Sequence, residues 1–222
     1  MNILLIAAVI FAGLEAFALY KPFPKLEWVA KPAVMVCLFL WLLTTVGLEG
    51  AALWFGLGIL FSLIGDVLLM ISLDRFFLAG LAAFLLAHLA YGVGFNIPFP
   101  QLSAWSVIMA VFIGWGGARV IRRILAAVAE KGQRRLRLPI LIYGVVISLM
   151  LLSAMIKLND LSWQAGASLL VSAGAFLFYL SDIVLAWDKF VAAIPNGRVY
   201  NILLYHFGQI ALIAGVVVQL SA

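Results

Sequence analysis

Apolar residues run along this chain in stretches of about twenty, the length that carries a helix across the hydrocarbon of a bilayer. Polar residues gather between the stretches instead of alternating within them. Reading for such runs predicts eight transmembrane helices, over roughly 2–20, 29–46, 51–73, 76–95, 103–122, 138–157, 164–187 and 199–220. Each run is apolar around its whole circumference, as lipid-facing and bundle-core helices are. Backbone amides in hydrocarbon have no water to bond, so helices and not strands are the expected form. The expected fold is a single all-α integral membrane domain over residues 1–222, with no linker or low-complexity tract. The first run follows the opening Met without a basic leader or a clear cleavage site, and reads as a retained span, not a signal peptide.

Composition strengthens that picture. The chain is 67% hydrophobic and 10% charged, with mean hydropathy +1.21, and no soluble domain of 222 residues could hide so much apolar surface. Charge then adds orientation. When successive connections are assigned to alternate sides of the membrane, every Lys and Arg except Lys157 falls on one side. A missed or invented helix in the middle would mix the two sides. The positive-inside rule puts the basic side in the cytoplasm and both termini outside. Clustering of this kind reports topology before it reports nucleic acid, so no nucleic-acid partner is expected. The densest basic stretch, Arg119 to Arg137, is either only a topology signal or a short amphipathic continuation of helix five near anionic headgroups. Cys37 is the lone cysteine, which leaves no intrachain disulfide and no CxxC metal site; in an apolar run it reads as a small buried hydrophobe.

A weak internal echo is present. Helix three ends GDVLLMISLDRF and helix seven ends SDIVLAWDKF; His88 follows the first and His206 the second at similar distances. The two stretches run the same way through the membrane, which suits a parallel repeat of two four-helix halves.

Against this apolar background the polar residues inside the spans stand out. Asp66 and Asp182 lie at membrane depth, where a carboxylate costs roughly 2.5–3.5 kcal/mol by insertion scales, so each is a functional-site hypothesis. At about 1.5 Å per residue both sit roughly 7–10 Å inside the basic end. His206 and Glu15 fall in the same half, giving an acidic layer of Glu15, Asp66 and Asp182 with His206, while His88 is expected deeper, near or past the midplane. Helical spacing places Ser62 one turn from Asp66, Tyr179 and Ser181 beside Asp182, and Asn201, Tyr205 and Gln209 along one face of helix eight. The competing reading is structural: an Asp in a membrane helix can hold helices together by bonding a neighbour's hydroxyl. His88 and Tyr91 admit the same reading, and Lys31, beside Pro32, either snorkels to the headgroups or meets an anion. Trp28, Trp187, Tyr20 and Tyr200 are expected at the membrane interface. Two histidines without an HxxxH or ExxH pair give no metal motif, and GxSxG, P-loop and GxGxxG patterns are absent. By elimination the chemistry left is acid–base work by a carboxylate pair, with no metal and no cofactor called for. A proton-coupled transporter or flippase of a lipid-like substrate is the alternative use of the same carboxylates.

The same residues resemble the YhhN family. Lys31-Pro32 opens helix two, Gly65-Asp66 lies in helix three, and Phe84, His88 and Tyr91 share helix four. Tyr179, Ser181 and Asp182 with Phe190 follow in helix seven, and Tyr205 and Gln209 in helix eight. The resemblance implies an eight-helix membrane hydrolase that cleaves the vinyl ether bond of lysoplasmalogens to a fatty aldehyde and a glycerophospho-base, with Asp66 and Asp182 as the catalytic pair. It implies a lysophospholipid as partner in the bilayer, its tail between helices and its headgroup at the basic rim. Lys31 is then the first candidate for the phosphate, ahead of Lys189 and Arg198. His206, Tyr179 and Gln209 would orient carboxylates or water, and the expected setting is a multi-pass protein of the bacterial inner (plasma) membrane with its site in the cytoplasmic half.

Overall fold

The computed structural model describes residues 2–221. Those residues form eight long helices and no strand: α1 (Ile3–Tyr20), α2 (Pro24–Thr45), α3 (Ala51–Ile71), α4 (Phe77–Phe95), α5 (Ala104–Glu130), α6 (Arg137–Ile156), α7 (Ala165–Ala186) and α8 (Gly197–Leu220). All eight are long and apolar enough to cross a membrane, as the hydrophobic runs predict. Three ends differ from the expectation. α2 begins at Pro24, not near 29, because a proline at the first helical position has no N–H to lose and already holds the helical φ. α5 runs on to Glu130, leaving only a short turn before α6; its added length begins at the outward-facing Arg123. After α7 the chain widens into one π-type turn, Trp187–Val191, which delivers Asp188 and Lys189 to the basic end of the bundle.

Consecutive helices pack as antiparallel neighbours, α1 with α2, α3 with α4 and α7 with α8. α8 is the most enclosed and also touches α1, α2 and α3, whereas α5 packs mainly along α6 and on the π-type turn. The α7–α8 contact is backbone to backbone. A Cβ on Gly208 would lie 2.8 Å from the Phe178 nitrogen, and one on Gly215 would lie 2.7 Å from the Ala167 carbonyl. Small residues let membrane helices approach this closely, and dispersion contacts replace the hydrophobic drive that lipid cannot supply. Between α3 and α4 aromatic side chains fill the place of missing Cβ atoms: Phe84 lies against Gly65 and Phe55 against Gly94. Gly65 thereby brings α3 close to α4 beside Asp66. Where the two echoing segments end, Lys189 Nζ donates to Asp74 Oδ1 at 2.6 Å. The ammonium beside it holds the Asp74 carboxyl below its usual range.

Candidate active site

Asp66 and Asp182 line one cavity of about 370 Å³ at the basic end of the bundle, between α2, α3, α7 and α8. The side chains of Glu27, Lys31, Lys189 and Arg198 also reach it. Asp66 is 1% exposed and compensated on both oxygens. Tyr205 Oη donates to Oδ2 at 2.6 Å, and the Lys31 ammonium lies 3.4 Å from Oδ1. A buried carboxylate needs such a partner, since an unpaired charge is far costlier than a paired one. Arg198, by contrast, is held at the rim by Glu27 at 2.7 Å.

Asp182 is held differently. Tyr143 Oη donates to its Oδ2 at 2.5 Å, and His88 Nε2 lies 2.9 Å from that phenol oxygen and 3.3 Å from the carboxylate. Nδ1 of His88 is buried without a partner. No Lys or Arg pairs with Asp182 among the described residues. The two aspartates therefore share a cavity but not an environment: one faces the Lys31 ammonium and a phenol, the other a phenol and an imidazole.

His88, counted deeper along α4 than the aspartates, nevertheless reaches Asp182. Side chains lean toward the N-terminus of their own helix. α4 starts at the basic end and α7 at the opposite end, so His88 leans toward that end and Asp182 away from it, and the two meet. The single acidic layer also resolves into separate parts. Glu15 and His206 bond each other, both fully buried, on the α1–α8 side, and neither lines the cavity. His206 therefore orients Glu15, with Tyr205 between it and Asp66. Gln209 does not reach a carboxylate: it accepts from Tyr91 Oη at 2.7 Å and donates to Ser62 Oγ at 3.0 Å, a buried network one turn from Asp66. Tyr179 turns its hydroxyl toward Gly117 of α5 and hydrogen-bonds neither aspartate. Ser181 lines the cavity but its hydroxyl donates to its own helix, to the Phe178 carbonyl. Its carbonyl accepts from Asn201 at 2.8 Å, tying α7 to α8 beside Asp182.

Tyr143 is the residue that sequence reading passes over. It lies in the run LPILIYGVVI of α6, where a tyrosine raises no alarm because its ring is apolar. The available signal is position: it is the only tyrosine of α6 and lies two turns inside the span, not at the interface where membrane tyrosines gather.

The sequence model of the YhhN family matches residues 26–216, a span that encloses Lys31, both aspartates and Gln209. Lysoplasmalogenase TMEM86B of Mus musculus is 30% identical over 205 residues, covering 89% of this chain and 79% of the relative. The Homo sapiens protein of the same name is 28% identical, with 88% and 79% covered, and Lysoplasmalogenase TMEM86A of Bos taurus is 26% identical, with 88% and 81% covered. No solved structure matches the chain. Matched over nearly its whole length, and built of eight membrane-spanning helices, the chain belongs to the YhhN family.

Proposed function

We propose that this protein is a membrane hydrolase that cleaves the vinyl ether bond of lysoplasmalogens. The observation that carries the proposal is the shared cavity: two carboxylates, one beside a cation and one not, in a chain whose relatives are named lysoplasmalogenases.

The reaction begins with proton transfer to the β-carbon of the vinyl ether, which leaves an oxocarbenium ion. Water then adds to the α-carbon, giving up a proton, and the hemiacetal collapses to a fatty aldehyde and a glycerophospho-base. Two carboxyl groups divide this work as they do in glycosidases, which pass through the same kind of cation. Asp66, with Lys31 and Tyr205 on its oxygens, is suited to remain the carboxylate that stabilises the oxocarbenium and receives the proton of water. Asp182, with no Lys or Arg on its oxygens, is suited to hold the proton that is delivered. His88 and Tyr143 fix its orientation. Lys31 lies where it can also meet the phosphate, at the mouth of the cavity with Lys189.

The test is aldehyde release from lysoplasmenylethanolamine by the purified protein. Asp66→Asn and Asp182→Asn are each expected to lower the rate at least a hundredfold, about 2.7 kcal/mol of barrier, with the folded protein recovered in normal yield. Full activity in either variant would falsify the two-carboxylate mechanism.

A further inference from the structure

A second cavity lies against the first. It is a crevice between α4, α5, α6 and α7, and of the side chains that line it only Tyr143, Tyr179 and Asp182 are polar. On α5 its wall is Gly117, Val120, Ile121 and Ile124, one helical face; on α6 it is Ile140, Tyr143, Gly144 and Ile147. Asp182 lines both cavities and is the only polar residue that does. Polar cavity and apolar crevice thus meet at one carboxyl group.

Resting on the hydrolase reading above, we infer that this crevice is the binding site of the alkenyl chain, with the ether oxygen at Asp182, the glycerophosphate in the polar cavity and the hydrocarbon between α5 and α6. A lysolipid changes from polar to apolar at its ether bond, and the protein changes from polar to apolar at Asp182. Apolar surface removed from water or headgroups is stabilised in such a wall. The chain has a way in from the bilayer. α5 packs on α6 and on the π-type turn but makes little contact with α4 or α7, so the crevice is closed on that side by a helix that is not clamped to it. Gly117 keeps the wall open: a Cβ there would sit 3.0 Å from Tyr179 Oη and 3.3 Å from Ser148 Oγ.

Two measurements test the site. The first uses the wild-type protein in phosphatidylcholine nanodiscs and a non-cleavable alkyl-ether lysophosphoethanolamine carrying a diazirine within four carbons of the ether. Photolysis is expected to place adducts on the segments 117–124 and 140–147. Adducts confined to the outer faces of other helices, such as Val9 and Ile10 of α1, overturn the assignment. The second compares lysoplasmalogens with sixteen-carbon and four-carbon alkenyl chains. Gly117→Leu and Val120→Phe each put bulk into the crevice and are expected to lower the long-to-short ratio of kcat/KM by about tenfold or more, since the added side chain excludes the distal carbons of the long chain and spares the short one. An unchanged ratio in both variants overturns the assignment. If the wild-type protein releases aldehyde from neither chain length, the hydrolase reading falls, and the adduct pattern still decides whether the crevice takes a lipid chain.

Discussion

Tyr143 and Tyr205 offer the sharpest separation of roles among single residues. Each gives its phenol proton to one of the two cavity aspartates, at 2.5 Å and 2.6 Å. Such a hydrogen bond contributes about 0.5–1.5 kcal/mol, and about 1.5–3 kcal/mol where the acceptor is charged. Tyr143→Phe and Tyr205→Phe keep the ring and lose only that bond, so each is expected to lower kcat about tenfold to a hundredfold while KM stays within about threefold. Full kcat in either variant would count against that phenol's part in the reaction. Much at this scale could be read from the sequence. Aspartates and histidines in hydrocarbon are so costly that each one announces itself. What spacing along one helix does not reveal is how neighbouring helices are rotated. That is why Glu15 and His206 joined the aspartates on paper yet pair only with each other, and why Tyr143, cheap to bury, went unmarked.

Among the elements, α7 and α8 decide whether the site exists at all. Asp182 and Tyr205 stand on opposite sides of an interface in which Gly174 and Gly208 replace side chains with backbone contact. A Cβ on Gly174 would lie 2.6 Å from the Gly208 carbonyl, and neither partner can yield without moving a helix. Gly208→Val is therefore expected to cost at least about 2–3 kcal/mol of stability by overpacking, visible as a lower thermal midpoint in detergent and a poorer yield. Gly13→Val, at a site with no atom within 4 Å of the added Cβ, is the matched control and is expected to leave the midpoint unchanged within a degree or two. Helix number and approximate span were legible because bilayer thickness fixes them. Helix ends were less so. Nothing in the pattern marks where α7 gives way to the π-type turn, because Trp187, Asp188 and Lys189 read equally well as the polar end of an α-helix. A charged stretch does not mark by composition where α5 stops, and its helical hydrogen bonds run on to Glu130.

For the whole molecule, the distribution of basic residues predicts that the end bearing Lys131, Lys189 and Arg198 faces the cytoplasm. With Cys37 replaced by Ala, a cysteine at Gln133 is expected to react with a membrane-impermeant maleimide only in inside-out vesicles, and one at Ser162 only in right-side-out vesicles; the reverse pattern would invert the topology. On the proposed reading, the meeting of two cavities at Asp182 also decides what happens once the ether bond is broken. One substrate becomes two molecules of opposite solubility, and each is already in the compartment that suits it. The aldehyde lies in the crevice and drifts sideways into lipid, while the glycerophospho-base lies in the polar cavity and leaves for water. Neither has to pass the other. Added glycerophosphoethanolamine should then compete with substrate, whereas the partition of a long-chain aldehyde, and so its hold on the enzyme, is set by the membrane around α5.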